Sequence, residues 1–175
     1  KQVIETLQEA KPTAMVSVPR LYEKIYAAVM NSQENASSIK RFLFTKAIAT
    51  GTAYNNLFFR KQEVPIGLAL KYKVLDKLVL SKVRAVVGGD KNFFSAGGAP
   101  LDKSIEEFFL ACGLLICQGY GLTETSPMIS YNTPENFKFG TVGKLVPNCE
   151  VRIAENGEIQ AKGPQIMKGY FNNPE

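Results

Sequence analysis

The chain has 175 residues, with 21 Lys and Arg against 16 Asp and Glu, a formal net charge of +5 and a 45% hydrophobic content. That balance excludes a disordered or fibrous protein and fits one domain with a real core. Histidine is absent, which removes Ser-His-Asp catalysis, Cys-His nucleophiles and His-ligated metal sites together.

Residues 1–10 predict a short helix with Val3, Ile4 and Leu7 on one face, charged and amphipathic rather than a signal peptide. Pro12 ends it. Residues 13–18, TAMVSV, predict a buried strand. Pro19 opens a helix with Leu21, Ile25, Ala28 and Val29 on its inner stripe. After a polar break at 31–38, Ile39, Leu43, Ala47, Tyr54 and Leu57 mark a longer amphipathic helix, weakened by Gly51. A break around Pro65 leads to a third helix carrying Leu68, Tyr72, Leu75, Val79 and Val83. The basic pairs Lys40-Arg41 and Arg60-Lys61 lie on or beside these helices, and no run of five basic residues exists. They predict a solvated face and no nucleic-acid partner.

The texture changes at Gly88-Gly89. Residues 92–95, NFFS, predict a strand that ends in Gly97-Gly98-Ala99-Pro100. A helix opens near Asp102, with Ser104 and Glu107 in the spacing of a capping box and Ile105, Phe108, Phe109 and Cys112 on its inner face. Gly113 stops it. Residues 114–117, LLIC, predict a buried strand that runs into Gln118-Gly119-Tyr120-Gly121. Strand, glycine turn, helix, strand, glycine turn is the βαβ grammar of a parallel sheet, whose ligands sit beyond the carboxyl ends of the strands.

Farther on, Cys149, Val151 and Ile153 alternate, as do Ile159 and Ala161, around the two-residue hairpin signal Asn156-Gly157. The fold class is therefore α/β: a partial parallel βαβ sheet with flanking helices over residues 1–135, including a helical stretch at about 34–83, then a short antiparallel β segment over 136–175. Cys112, Cys117 and Cys149 are odd in number and lack CxxC spacing, so they read as small buried fillers in a reduced compartment. The apolar run 108–117 is too short to span a bilayer. The chain begins inside a helical pattern without Met and ends in a loop, which reads as an internal piece of a longer polypeptide.

Two glycine turns carry the candidate chemistry. In SAGGAPL, residues 95–101, paired glycines let the backbone approach a planar ligand or a phosphate, although a tight strand-to-helix turn with Pro at the helix start is by itself the simpler explanation. In QGYGLTET, residues 118–125, Tyr120 offers a ring for stacking, Thr123 a hydroxyl for a phosphate oxygen and Glu124 a hard oxygen for Mg2+. Position 124 is Glu, so this is neither GxGxxG nor GxxxxGK[ST]. The stretch from Gly157 to Tyr170 reads by itself as a structural hairpin with turn glycines.

GYGLTET, preceded by SAGGAPL and followed by GEIQAKGPQIMKGYFNNPE, resembles the adenylate-forming (AMP-binding) enzymes. SVPRLYEKIY at 17–26, ALKYKVLDKLVLSKVRAVVGG at 69–89 and NFFSAGGAPLDKSIEEFFLACG at 92–113 are similar to the long-chain acyl-CoA synthetases among them. The resemblance implies part of the large N-terminal domain of a ligase that activates a fatty acid with ATP as an acyl-adenylate and passes it to CoA. It implies that Gly97, Gly98, Ala99 and Pro100 border the adenine and the acyl entrance. It implies that Gln118, Gly119, Tyr120 and Gly121 wall the nucleotide, with Tyr120 stacked on the base. Thr123 would bond the α-phosphate and Glu124 would hold Mg2+. The resemblance thus implies that Thr123 and Glu124 are the catalytic pair. The family's phosphate loop, its ribose-binding Asp and its C-terminal catalytic Lys are not found in the chain, so the resemblance implies an inactive piece. A non-catalytic nucleotide-binding module and a ligase for another carboxylate are the alternatives. A cytoplasmic location, peripheral membrane contact and a homodimer are compatible with the resemblance. Phe93, Phe94, Phe108 and Phe109 fit either an acyl tunnel or, more simply, core packing.

Overall fold

A computed structural model describes residues 2–89 and 93–173. Helix α1 (Gln2–Ala10) leads to strand β1 (Ala14–Ser17). Helices α2 (Pro19–Glu34), α3 (Ser38–Phe59) and α4 (Ile66–Leu75) follow. A π-helical turn (Asp76–Leu80) joins α4 to α5 (Ser81–Val86). Strand β2 (Phe93–Ala96), helix α6 (Lys103–Ala111) and strand β3 (Ile116–Tyr120) form the predicted βαβ unit, with β3 shifted from the expected 114–117 because its pairing with β2 and β4 runs through Gln118, Gly119 and Tyr120. Asn92 of the predicted strand lies outside the described residues. Short strands β4 (Ser130–Tyr131) and β5 (Lys144–Leu145) extend the sheet, and β6 (Glu150–Ile153) pairs with β7 (Ile159–Lys162) in a separate ribbon.

The sheet runs β1-β2-β3-β4-β5. Its first three strands are parallel, with Val16 opposite Ser95 and Ser95 opposite Cys117, and β4 returns antiparallel with Ser130 opposite Tyr120. Strand β1 is the edge, so Val16 is 83% exposed and the expectation of a buried strand fails there. Strands β2 and β3 are central, and Phe94, Ile116 and Cys117 are buried as the sequence predicts.

The core fills the space between this sheet and the helices. Tyr22, Phe94 and Phe109 are fully buried, with ring centroids 5.5 to 6.4 Å apart. Burial of such side chains contributes roughly 1.5–3 kcal/mol each. Tyr22 replaces the predicted Ala28 on the inner stripe of α2, because its ring is buried while its Oη donates to the Ser95 carbonyl at 2.7 Å. On α3 the inner stripe is Phe44, Ala47, Thr50, Gly51 and Asn55, whereas Ile39 is 74% exposed. Gly51 is a contact residue: a Cβ there would sit 2.1 Å from the Ala111 carbonyl oxygen, so glycine lets α3 lie against α6. Asn55 Nδ2 also donates to that carbonyl at 3.3 Å.

Two local readings are corrected by the chain's own hydrogen bonds. Asp102, not Ser104, caps α6, accepting from the Ser104 backbone N–H at 2.7 Å. Glu107 instead pairs with Lys103 one turn earlier. The β6–β7 connection is a three-residue loop, Glu155-Asn156-Gly157, closed by an Ala154 N–H to Glu158 carbonyl bond at 2.9 Å. Gly157 at φ +86° takes the left-handed position that such a loop requires.

Candidate functional site

Strands β2 and β3 are parallel neighbours, so their following turns emerge side by side at one sheet edge. The first turn holds Gly97, Gly98, Ala99 and Pro100; the last three are exposed, and Gly98 has φ +82° with open space around it. Gly119 and Tyr120, expected in the second turn, are the last residues of β3; the turn starts at Gly121 and continues into a 3-10 turn, Thr123–Thr125. A Cβ built on Gly97 would lie 3.7 Å from the Gly119 carbonyl oxygen, so the two predicted turns touch.

Gln118 is what joins them. Its side chain is buried; Oε1 accepts from the Leu101 N–H at 2.9 Å, and Nε2 donates to the Leu101 carbonyl at 3.4 Å. The amide is thus committed to holding the first loop against β3.

Gly119 and Gly121 face the protein's own chain. A Cβ on Gly119 would lie 2.6 Å from Met128 Cε and 2.7 Å from a Tyr131 ring carbon, and one on Gly121 would lie 1.7 Å from the Pro127 carbonyl oxygen. Close approach of the 127–131 segment explains both glycines; clearance for a nucleotide is not needed to account for them. Tyr120 is half-buried between them, its carbonyl accepting from the Ile129 N–H at 2.8 Å.

The Thr125 hydroxyl shapes the 3-10 turn. It accepts from the Leu122 N–H at 2.9 Å and lies 3.0 and 2.9 Å from the Leu122 and Pro127 carbonyl oxygens. With its neighbour's backbone so pinned, Thr123 stays exposed. Glu124 is held from the far end of the sequence: the Tyr170 hydroxyl donates to its Oε1 at 2.6 Å, and the Met167 N–H donates to its carbonyl at 2.8 Å. The Tyr170 hydrogen bond holds the Glu124 carboxyl below the usual range, and the same bond raises the Tyr170 phenol. Glu124 is therefore an anion at neutral pH.

Tyr170 and Met167 lie in the stretch expected to be only a structural hairpin. No spacing rule links positions 46 residues apart, so the residues alone gave no signal for this contact. Ser130 was also missed. It pairs with Tyr120 across the sheet, and its Oγ is buried with no hydrogen-bond partner among the described residues.

The donor set bears on magnesium. Among the described residues no group of three or more Asp, Glu, Cys or His could hold a resident ion. Mg2+ typically keeps several waters and takes one or two carboxylates plus substrate phosphates. One ionised, solvent-reached carboxylate fits an ion delivered with a nucleotide.

The cysteines are inert fillers. Cys112, Cys117 and Cys149 are buried and free, and burial pushes the Cys112 and Cys117 thiols up to about 12. Phe94 and Phe109 are core residues, and Phe108 packs in the core while lining a cleft of about 750 Å3 with Tyr26, Phe44, Ile48 and Phe139. None of residues 97–100 or 118–125 lines that cleft. No helix of the described residues is long and apolar enough to cross a membrane.

Known proteins resemble this chain in sequence and in fold. The chain is 39% identical over 175 residues to a long-chain-fatty-acid–CoA ligase of Mycobacterium bovis, covering 99% of this chain and 28% of that protein. It is 32% identical over 187 residues to a peroxisomal long chain acyl-CoA synthetase of Arabidopsis thaliana, covering 98% of this chain and 25% of that one. The chain thus spans about a quarter of these relatives' length. The fold matches a benzoate CoA ligase from Burkholderia xenovorans with a TM-score of 0.56 at 22% identity, over 98% of this chain and 27% of that one. It matches apo MatB from Rhodopseudomonas palustris at 0.52 and 20%, over 99% of this chain and 26% of that one. The model of the AMP-binding enzyme family aligns with residues 1–171. That match over nearly the whole chain shows that this protein belongs to the AMP-binding enzyme family.

Proposed function

We propose that the chain supplies the adenine-side wall of an ATP-dependent ligase that activates a long-chain fatty acid as acyl-AMP and transfers the acyl group to CoA. One observation carries this reading: the exposed Thr123 and the ionised Glu124 carboxylate sit on one pinned turn beyond the end of β3, the strand whose Gly119 lies against Gly97 of the first loop. The long-chain-fatty-acid–CoA ligase relatives at 39% and 32% identity favour the fatty-acid substrate.

In this reading the fatty-acid carboxylate attacks the α-phosphorus of ATP, and pyrophosphate leaves. Gly98, Ala99 and Pro100 border the adenine, and Tyr120 offers its ring to the base. Thr123 donates to an α-phosphate oxygen as charge develops there. Glu124 would hold the Mg2+ that ATP brings, an ion that would supply neutralisation of phosphate charge. Gln118 acts at one remove, by holding the first loop in place. The phosphate loop, ribose-binding Asp and catalytic Lys come from sequence outside these residues, so the chain alone does not complete the reaction.

The test is product analysis with the complete protein, given ATP, Mg2+, CoA and fatty acids of graded length. The reading requires long-chain acyl-CoA, AMP and pyrophosphate in equal amounts. Orthophosphate and ADP, or turnover only with an aromatic or short acid, would refute it.

A further inference from the structure

The cleft of about 750 Å3 lies between α2, α3 and α6, and its size suits a small-molecule site. The sequence of α3 makes it. Thr45, Ala49 and Thr52 recur at helical spacing on one face, and their short side chains leave a hollow beside the stripe of Phe44 and Ala47 that packs in the core. Four rings line the hollow: Tyr26 on α2, Phe44 on α3, Phe108 on α6 and Phe139 between β4 and β5. Tyr26 and Phe108 meet edge to face at 4.9 Å, and Phe44 tilts against Phe108 at 6.5 Å. A flat ring entering this set meets ring edges and ring faces, the contacts that aromatic groups prefer, whereas an alkyl chain gains area alone.

The charge available at the cleft is positive. Glu107 lines it but is paired with Lys103 at 3.5 Å. Arg41 also lines it, is exposed, and pairs with no acid among the described residues. The adjoining groove shares Gln33 and Phe44 with the cleft, carries Lys40 and Lys82, and has no acid in its lining. A guanidinium offers a planar fork of donors that matches a carboxylate. The ring set and Arg41 together describe an aromatic body with one acidic head.

The cleft wall is built from neighbours of the residues that hold the first glycine loop. Glu106, next to the lining residue Glu107, accepts from the Gly140 N–H at 2.7 Å, and Gly140 follows the lining residue Phe139. Glu106 also shares a hydrogen bond with Gln118, whose Oε1 accepts from the Leu101 N–H. We propose that this cleft is a second ligand site, taking an aromatic monoanion with its acidic head on Arg41, and that occupancy braces the loop ending at Leu101 through Glu106 and Gln118. No residue of 97–100 or 118–125 lines the cleft, so its occupant lies apart from an acid held at the glycine turns. The proposal does not depend on what those turns bind, and it stands or falls apart from the ligase reading.

The test is calorimetric titration of the full chain with 2-naphthoate, its uncharged counterpart 2-naphthamide, and decanoate. 2-Naphthoate should bind at one site. 2-Naphthamide should bind about ten-fold more weakly, as should 2-naphthoate to R41Q, and decanoate about five-fold more weakly. A49W should fill the hollow and abolish binding. Arg41 and Ala49 are both exposed, so circular dichroism and thermal midpoint of the two variants should stay at the wild-type values. With 2-naphthoate bound, hydrogen exchange at the Leu101 amide should slow. Absence of binding, equal binding of 2-naphthamide, or wild-type binding by R41Q or A49W would overturn the site. Tighter binding of decanoate would give the cleft to an alkyl chain and equally overturn it. Unchanged exchange at Leu101 under saturating 2-naphthoate would overturn the coupling to the loop.

Discussion

The Tyr170 hydroxyl donates to Glu124 Oε1 at 2.6 Å, joining the segment after β7 to the 3-10 turn that follows β3. The bond favours the ionised carboxylate. Tyr170→Phe should therefore return the Glu124 carboxyl toward its ordinary range, observed by NMR titration of the glutamate side chain. Because folding lowers the pKa of this carboxyl, the stabilisation is present above pH 4.5 and is lost as pH falls through the folded value. Unchanged Glu124 titration in Tyr170→Phe would show that the bond does not form in solution.

Glu106 behaves in the opposite sense. It is 1% exposed on α6, and burial raises its carboxyl despite the Gly140 N–H donating to Oε2 at 2.7 Å and a hydrogen bond with Gln118. A raised acid is most favourable to folding below its unfolded value of 4.5, and that contribution is lost as pH rises through the folded value. Glu106→Gln keeps an acceptor for Gly140 without the buried charge. Its thermal midpoint should exceed wild type at pH 7, and the difference should vanish near pH 4. A lower midpoint at pH 7 would contradict this.

The two loop glycines separate by substitution. Gly121→Ala places a Cβ 1.7 Å from a backbone oxygen that cannot yield, so it should cost about 3 kcal/mol or prevent folding. Gly98→Ala meets open space and only the strain of φ +82°, about 1 kcal/mol. Urea midpoints of the two variants should fall in that order.

Arg84 and Asp76 form a largely buried pair, with side chains 11 and 21% exposed, and Arg84 also donates to the Cys112 carbonyl at 3.0 Å. Arg84→Met leaves Asp76 without its partner and should destabilise by about 3 kcal/mol. The double variant Arg84→Met/Asp76→Leu should recover much of that loss in urea denaturation.

Legibility in the sequence followed the range of the interactions. The βαβ unit, the first glycine turn and the inner face of α6 depend on local periodicity and turn residues, and they appear at the predicted places, while β3 runs on to Tyr120 through the expected second turn. The inner stripes of α2 and α3 do so only in part: Ile25, Val29 and Ala47 are buried as predicted, whereas Ala28 and Ile39 are exposed. Tyr22 is buried because Ser95, on another strand, accepts its hydroxyl. Gly51 is favoured because α6 crosses there. Val16 is exposed because β1 ends the sheet, a fact of strand order that a six-residue run does not encode. At the candidate site, the residue types of Thr123 and Glu124 were readable, while the roles of Gln118, Gly119 and Gly121 were not. Those three answer to Leu101, Tyr131 and Pro127, which are neighbours only after folding.

The central claim is that the turn carrying Thr123 and Glu124 serves adenylate formation. It is tested most directly by fatty-acid-dependent ATP–pyrophosphate exchange in the complete protein and its E124Q variant, with folding checked by circular dichroism. The account predicts Mg2+-dependent exchange with a long-chain acid in the wild type and a loss of about a hundred-fold or more in E124Q. Exchange at the wild-type rate in a folded E124Q protein would contradict it.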